Sequence, residues 1–214
     1  MGKVMRLDNA DTLENPVINE LLVTKEAREA FQESMDLAEA AKLVRDMRAH
    51  AKLTQVELAK RIGTTQARIS QIETITPDPE DRRAYRDGPT YTLLKRVAHA
   101  CHVQWPPAAH RYNKEMYENP LIHELLPTEE ARIAYYESMY LAEAAKLVRD
   151  MRDHAKLKQS ELAGLIGVTQ PRVSQLETVA NTNPEDRRTH RDGPTYTLLK
   201  RVARACGFPQ LILL

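Results

Sequence analysis

Two short strings set hydroxyl, amide and guanidinium side chains at the same spacing: Thr65, Gln66, Ala67, Arg68, Ser70 and Gln71, and Thr169, Gln170, Pro171, Arg172, Ser174 and Gln175. Neither string pairs a nucleophile with a base. A glutamine amide presents a donor beside an acceptor, which matches N6 and N7 of adenine, and an arginine fork matches guanine or a phosphate oxygen. The chemistry within their reach is recognition of double-stranded DNA, and each good bidentate pair discriminates between bases by about 1–3 kcal/mol. Each residue also has a plainer role. Thr65 and Thr169 suit helix N-caps, Gln71 and Gln175 can bond within the protein, and Arg68 and Arg172 can rest against solvent.

Side chains of this kind read a groove only from the start of a helix held against the duplex by a second one. The strings LTQVELAKRIGTTQARISQIE, from Leu53 to Glu73, and LKQSELAGLIGVTQPRVSQLE, from Leu157 to Glu177, meet that demand as helix-turn-helix motifs. Leu58, Ala59, Ile62, Ile69 and Ile72 fall on the face to be buried, with Val173 and Leu176 in the second string. Gln55, Gln66, Ala67, Arg68, Ser70 and Gln71 fall outside. Thr54 and Glu57 form a T-x-x-E capping box, which Lys158 removes from the second string. Gly63 and Gly167 can take the left-handed conformation that ends the first helix of each motif. Pro171 stands in a first turn, where its missing amide hydrogen costs little.

The two strings belong to a longer repeat. Residues 36–74 recur at 140–178 with 29 of 39 positions identical, which predicts two tandem units, 1–105 and 118–214, around a linker at 106–117. A length of 214 residues suits two domains of about 100, each with its own core. ENPVINELL and ENPLIHELL open the units as short helices with Pro in the first turn. Thr24 and Thr128 then cap a helical pattern that runs to His50 and His154, with Ala27, Phe31, Ala38, Ala41, Val44 and Met47 as the buried stripe on one long helix or on two with a bend. The last shared helix is expected to start at Pro89 and Pro194. Before it, Arg82, Arg83, Arg86, Arg187, Arg188 and Arg191 alternate with acids, either as surface pairs or as phosphate contacts.

Composition narrows the classes. Aromatic residues at 5% and seven glycines favour helix over sheet, so the expected class is all-α. No apolar run reaches membrane length and Met1 to Asn15 has no signal-peptide core, so a cytoplasmic protein without membrane contact is expected. Cys101 and Cys206 stand at equivalent places and read as buried thiols, and His50 and His154 as helix-end caps. No triad, metal cluster or phosphate-cradling glycine loop is present, so no enzyme, catalytic residue, metal or cofactor is expected.

Charge is polarised within each unit. Within the net charge of +1, residues 1–40 carry −5 and 41–76 carry +4, while 106–145 carry −4, 146–179 carry +2 and 180–214 carry +3. With Q-x-E-L-A, a turn glycine and T-Q-x-R-[IV]-S-Q-[IL]-E in both units, the chain resembles the Xre family of lambda-repressor and Cro-type DNA-binding proteins, over Leu43–Ala100 and Leu147–Ala205. The resemblance implies a transcriptional regulator, expected to be a repressor, on paired half-sites in direct or inverted order. It implies phosphate contact by Gln55 and Gln159 and base reading by Gln66, Ala67 and Gln71 and by Gln170, Pro171 and Gln175.

The strings E-A-R-x-A-[FY] and L-A-x-A-x-x-L-[VI]-R-x-x-R resemble the HigA-like antitoxin branch, which implies a small basic ribonuclease toxin as an alternative partner of the acidic helices. A solvated helix face is the plainer reading of those acids. A helix-turn-helix scaffold for protein contacts is the remaining alternative. The apolar ending FPQLILL either packs into the second unit or forms the interface of a homodimer.

Overall fold

The computed structural model describes residues 23–75, 88–103, 105, 120–178 and 193–208, and among them every regular element is a helix. These are α1 Lys25–His50, α2 Gln55–Arg61, α3 Gln66–Glu73, α4 Tyr91–Ala100, α5 Pro120–Leu125, α6 Glu129–His154, α7 Gln159–Leu165, α8 Gln170–Thr178 and α9 Tyr196–Ala205. Helices α1 to α4 and α6 to α9 follow the same order at the two ends of the repeat. The segments at 14–22, the arginines between 82 and 86 and between 187 and 191, the linker at 106–117 and the ending after Phe208 lie outside the described residues.

Helix α1 is continuous, with neither Pro nor Gly to bend it. The Thr24 hydroxyl accepts from the Ala27 amide at 3.1 Å and starts it, as Thr128 does for α6 through Ala131. Both helices end without glycine: Lys52 and Lys156 take positive φ of 55° and 56°, which lets Leu53 N donate back to Arg48 O at 3.1 Å and Leu157 N to Arg152 O. Leu37, Ala40, Ala41, Val44 and Met47 form the buried stripe, whereas Ala27, Phe31 and Ala38 are only partly covered. The expected stripe was therefore placed partly on the wrong face at its N-terminal end. The spacing also passed over buried Ser34 and Asp36, because polar residues carry no apolar signal.

Helices α4 and α9 begin at Tyr91 and Tyr196, two residues after the prolines expected to open them, with Thr90 and Thr195 as N-caps. The prolines act across the repeat. Pro89 O accepts from Tyr196 N and Pro194 O from Tyr91 N, both at 3.0 Å, around an antiparallel bridge of Thr90 and Thr195. Amides in the first turn of a helix have no partner inside it, so each copy satisfies one such donor of the other.

Further contacts are equally reciprocal. Helix α4 packs against α6 and α9 against α1, and the Tyr91 hydroxyl donates to Glu143 as the Tyr196 hydroxyl donates to Glu39, each at 2.8 Å. An interface in which equivalent residues exchange equivalent contacts is isologous, so an approximate two-fold axis relates the copies and passes by the Thr90–Thr195 bridge. Trp105 lies near it, buried, with its ring 5.3 Å from that of Tyr91 and 6.4 Å from that of Tyr196. One cluster of buried apolar residues spans both copies, with Val44, Leu58 and Tyr91 of the first and Val148, Leu162 and Tyr196 of the second among its members. Among the described residues no helix is long and apolar enough to cross a membrane.

The charge polarity found in the sequence has its physical counterpart here. Glu33, Asp36 and Glu39 of α1 meet Arg201, Arg204 and Lys200 of α9, and Glu137 and Glu143 of α6 meet Arg96 and Lys95 of α4. The acidic helix of each copy lies on the basic last helix of the other.

Candidate nucleic-acid interface

Each motif folds by local rules. The Thr54 hydroxyl accepts from the Glu57 amide at 3.2 Å while the Glu57 carboxylate accepts from the Thr54 amide at 2.7 Å, so the expected box is complete. The Thr54 amide, and after it the Thr54 hydroxyl, which donates to the same carboxylate at 2.7 Å, hold the Glu57 carboxyl below its usual range. In the second copy the box is halved rather than lost. Lys158 has no acceptor to offer, but its amide still donates to Glu161 at 2.7 Å. Gly63 and Gly167 adopt φ of 61° and 67° in the turn, where any other residue is strained. Thr65 caps α3 through the Arg68 amide at 3.2 Å.

Leu58, Ala59, Ile62, Ile69 and Ile72 are buried as expected, and so are Leu162, Ala163, Ile166, Val173 and Leu176. Opposite them, Thr65, Gln66, Ala67 and Gln71 are exposed, as are Thr169, Gln170, Pro171 and Gln175. Gln55, Arg68 and Ser70 are half-buried, and Gln159, Arg172 and Ser174 match them. Fourteen separate candidates thus gather into two surfaces, one at the start of α3 beside the start of α2, the other at the starts of α8 and α7.

Beneath each surface lies a network that the residue types alone did not reveal. Glu73, its side chain 4% exposed, receives Arg48 at 2.6 and 2.8 Å and Gln55 Nε2 at 2.9 Å. The Gln55 carbonyl then accepts from Gln66 Nε2 at 2.8 Å, so a buried carboxylate orients one amide and through it a second at the surface. The second copy repeats the chain: Arg152 to Glu177 at 2.6 and 3.0 Å, Gln159 to Glu177 at 2.9 Å and Gln170 to Gln159 at 2.9 Å.

Burial alone would raise the Glu73 carboxyl, but hydrogen bonds from Arg48 and Gln55 and the charges of Arg48 and Arg45 outweigh it and hold it low. Glu177 is held low in the same way by Arg152, Gln159 and Arg149. The carboxylates stay charged, as an acceptor-only anchor must. The sequence did carry a signal: R-x-x-R in the long helix and the Glu closing S-Q-[IL]-E recur in both copies.

Arg68 donates to Gln71 Oε1 at 2.9 Å, and Arg172 lies 3.5 Å from Gln175, so these pairs are at least partly engaged with each other. Arg45 is exposed and donates to Glu73 O at 2.8 Å, where it lines a groove of about 380 Å³ with Gln55, Glu73, Thr74 and Ile75. A cation therefore stands beside the first pair of glutamines. Cys101 and Cys206 are buried free thiols, and burial pushes Cys101 up to about 11, far from a reactive thiolate.

No curated protein and no solved structure gives a match to the chain. Residues 44–86 match the family model described as helix-turn-helix, a range that includes α2, the Gly63 turn and α3. That segment is similar to the helix-turn-helix of the Xre and lambda-repressor type, the kind found in DNA-binding regulators.

Proposed function

We propose that the chain is a sequence-specific transcriptional repressor without catalytic activity, which reads two related half-sites of double-stranded DNA with α3 and α8. The observation that carries this reading is the stacked amide pair, Gln55 with Gln66 and Gln159 with Gln170, held over a buried carboxylate at both surfaces. Gln66 Nε2 has two hydrogens. One is engaged by Gln55, so the other hydrogen and Oε1 are left in the paired geometry that adenine N7 and N6 require.

In this reading Gln55, Thr65, Gln159 and Thr169 meet phosphates. Gln66, Ala67 and Gln71, with Gln170, Pro171 and Gln175, face base edges. Arg68, Ser70, Arg172 and Ser174 address guanine or backbone. Ala67 and Pro171 offer apolar surface to a thymine methyl.

The approximate two-fold axis supports an inverted repeat as the target, because readers related by a two-fold axis fit half-sites related in the same way. The ion pairs favour DNA over a toxin as the main partner. Glu33, Asp36, Glu39, Glu137 and Glu143, which an acidic-helix reading would offer to a basic protein, already meet cations of the opposite copy.

Selection of duplexes from a random pool by the full chain tests the proposal. The expected result is enrichment of an inverted repeat, with binding that weakens steeply as salt rises, and its loss or change in Gln66→Ala with Gln170→Ala. Failure of any sequence to enrich, or an unchanged site in the double variant, refutes the assignment.

A further inference from the structure

The turn of each motif is tied to the opposite copy. The carbonyls of Ile62 and Ile166 close α2 and α7, and carbonyls at a helix end have no partner within the helix. Arg96 of α4 donates to Ile62 O, and Arg201 of α9 donates to Ile166 O at 2.9 Å. The same two guanidiniums reach across the repeat: Arg96 pairs with Glu137 of α6, and Arg201 with Glu33 of α1.

An arginine fork can serve two acceptors at once in a fixed plane, so each makes a rigid strap from one reading head to the long helix of the other copy. The side chains are 19% to 35% exposed, which shields the pairs from full screening.

The straps are unequal. A Cβ built on Gly63 would lie 3.5 Å from Ile133 Cδ1 of α6, so the opposite long helix reaches the turn itself. Gly167 has no such neighbour within 4 Å, and the counterpart of Ile133 in the first copy is the exposed Glu29.

From this arrangement we infer that Arg96 with Glu137 and Arg201 with Glu33 are positioning residues that set the separation and angle of the two reading heads. They thereby determine the half-site spacing that the chain accepts. The second part rests on the DNA reading proposed above; the first does not. None of the four belongs to the reading surfaces. Removing a carboxylate leaves the arginine on its own turn but releases the tie to the other copy.

The test uses the full chain carrying Glu33→Gln with Glu137→Gln. Spin labels on Val56→Cys and Ser160→Cys, exposed positions of α2 and α7, report the distance between heads without DNA, since Cys101 and Cys206 are buried. A narrow distribution is expected for the parent and a broader one for the variant.

On inverted repeats of the selected half-site, each added base pair rotates one half-site by about 35°. The parent is therefore expected to prefer one spacing by about tenfold, whereas the variant accepts its neighbours within about threefold at unchanged single half-site affinity. A broad distribution in the parent, or an unchanged distribution and spacing preference in the variant, overturns the inference. Should the glutamine variant lose helical content, Glu33→Asp with Glu137→Asp shortens both straps with charge retained, and the same broadening is required. A parent that binds no duplex refutes the DNA reading alone, and the label distances still decide the straps.

Discussion

Arg204 and Asp36 join α9 to α1 by two charge-assisted bonds of 3.0 and 2.7 Å, and the Asp36 side chain is 1% exposed while that of Arg204 is 27% exposed. Arg204→Ala leaves a buried carboxylate with Gln32, at 3.3 Å, as its remaining bonded neighbour. Breaking a buried pair from one side costs about 3–5 kcal/mol, or roughly 6–20 °C in Tm for a chain of this size.

The chain contains its own compensated version of the site. At the equivalent place on α6 and α4, Asp36 and Arg204 are replaced by Tyr140 and His99, with the His99 ring 5.4 Å from that of Tyr136 and tilted 54° to it. Asp36→Tyr with Arg204→His and Gln32→Tyr copies that arrangement and is expected to be neutral or stabilising, since replacing a whole buried pair removes its desolvation cost. Urea unfolding followed by circular dichroism at pH 7 measures both.

The pH dependence has a defined sign. Burial raises the Asp36 carboxyl above its usual 3.8 despite the bonds from Arg204 and Gln32 and the charges of Arg204 and Lys200. A carboxyl raised in the folded state holds more protons there than in the unfolded state, so its contribution to stability falls as pH rises through that window. Loss of Arg204 raises it further, and the deficit of Arg204→Ala must shrink on acidification. A cost under about 1 kcal/mol, the level of an exposed surface pair, or a deficit that grows in acid, would show that the seam does not depend on this pair.

Further substitutions probe the two helix-turn-helix motifs. Lys158→Thr restores the missing hydroxyl at the start of α7 and is expected to stabilise by about 1 kcal/mol, and Thr54→Ala to destabilise α2 by a similar amount; equal and negligible Tm changes would deny the capping difference. Glu73 and Glu177 are held below their usual 4.5, so the stability they contribute is present above that pH and is lost as pH falls through their lowered folded values. Glu73→Gln with Glu177→Gln should lower Tm at pH 7 and flatten the decline of Tm below about pH 4.5, and an acid profile parallel to that of the parent would contradict this.

Much of the reading head was legible from residue order because its determinants are local. Caps at Thr24, Thr54 and Thr65, the glycine turns and the buried aliphatic positions each follow from a few neighbouring residues and a helical period. The apolar spacing does not decide the continuous course of α1, since a low apolar contrast along Ala27 to Ala38 marks neither a bend nor its absence. The two-residue error at Pro89 and Pro194 has a definite cause: the prolines serve the other copy, and a one-dimensional reading assigns them to their own helix.

What the sequence by itself determined is a pair of helix-turn-helix strings with two matching sets of polar side chains at their surfaces and acid before base in each copy. Helical propensity, capping and apolar period act within about one turn of chain, and both copies supply them. Only the tertiary structure decided what the polarity is for. Bringing Asp36 within 3.0 Å of Arg204, across 168 positions of sequence, buries the acidic helix of one copy on the basic helix of the other and relates the two motifs by an approximate two-fold axis. Partners so far apart in sequence are chosen by shape and burial of the whole fold, which no local pattern encodes.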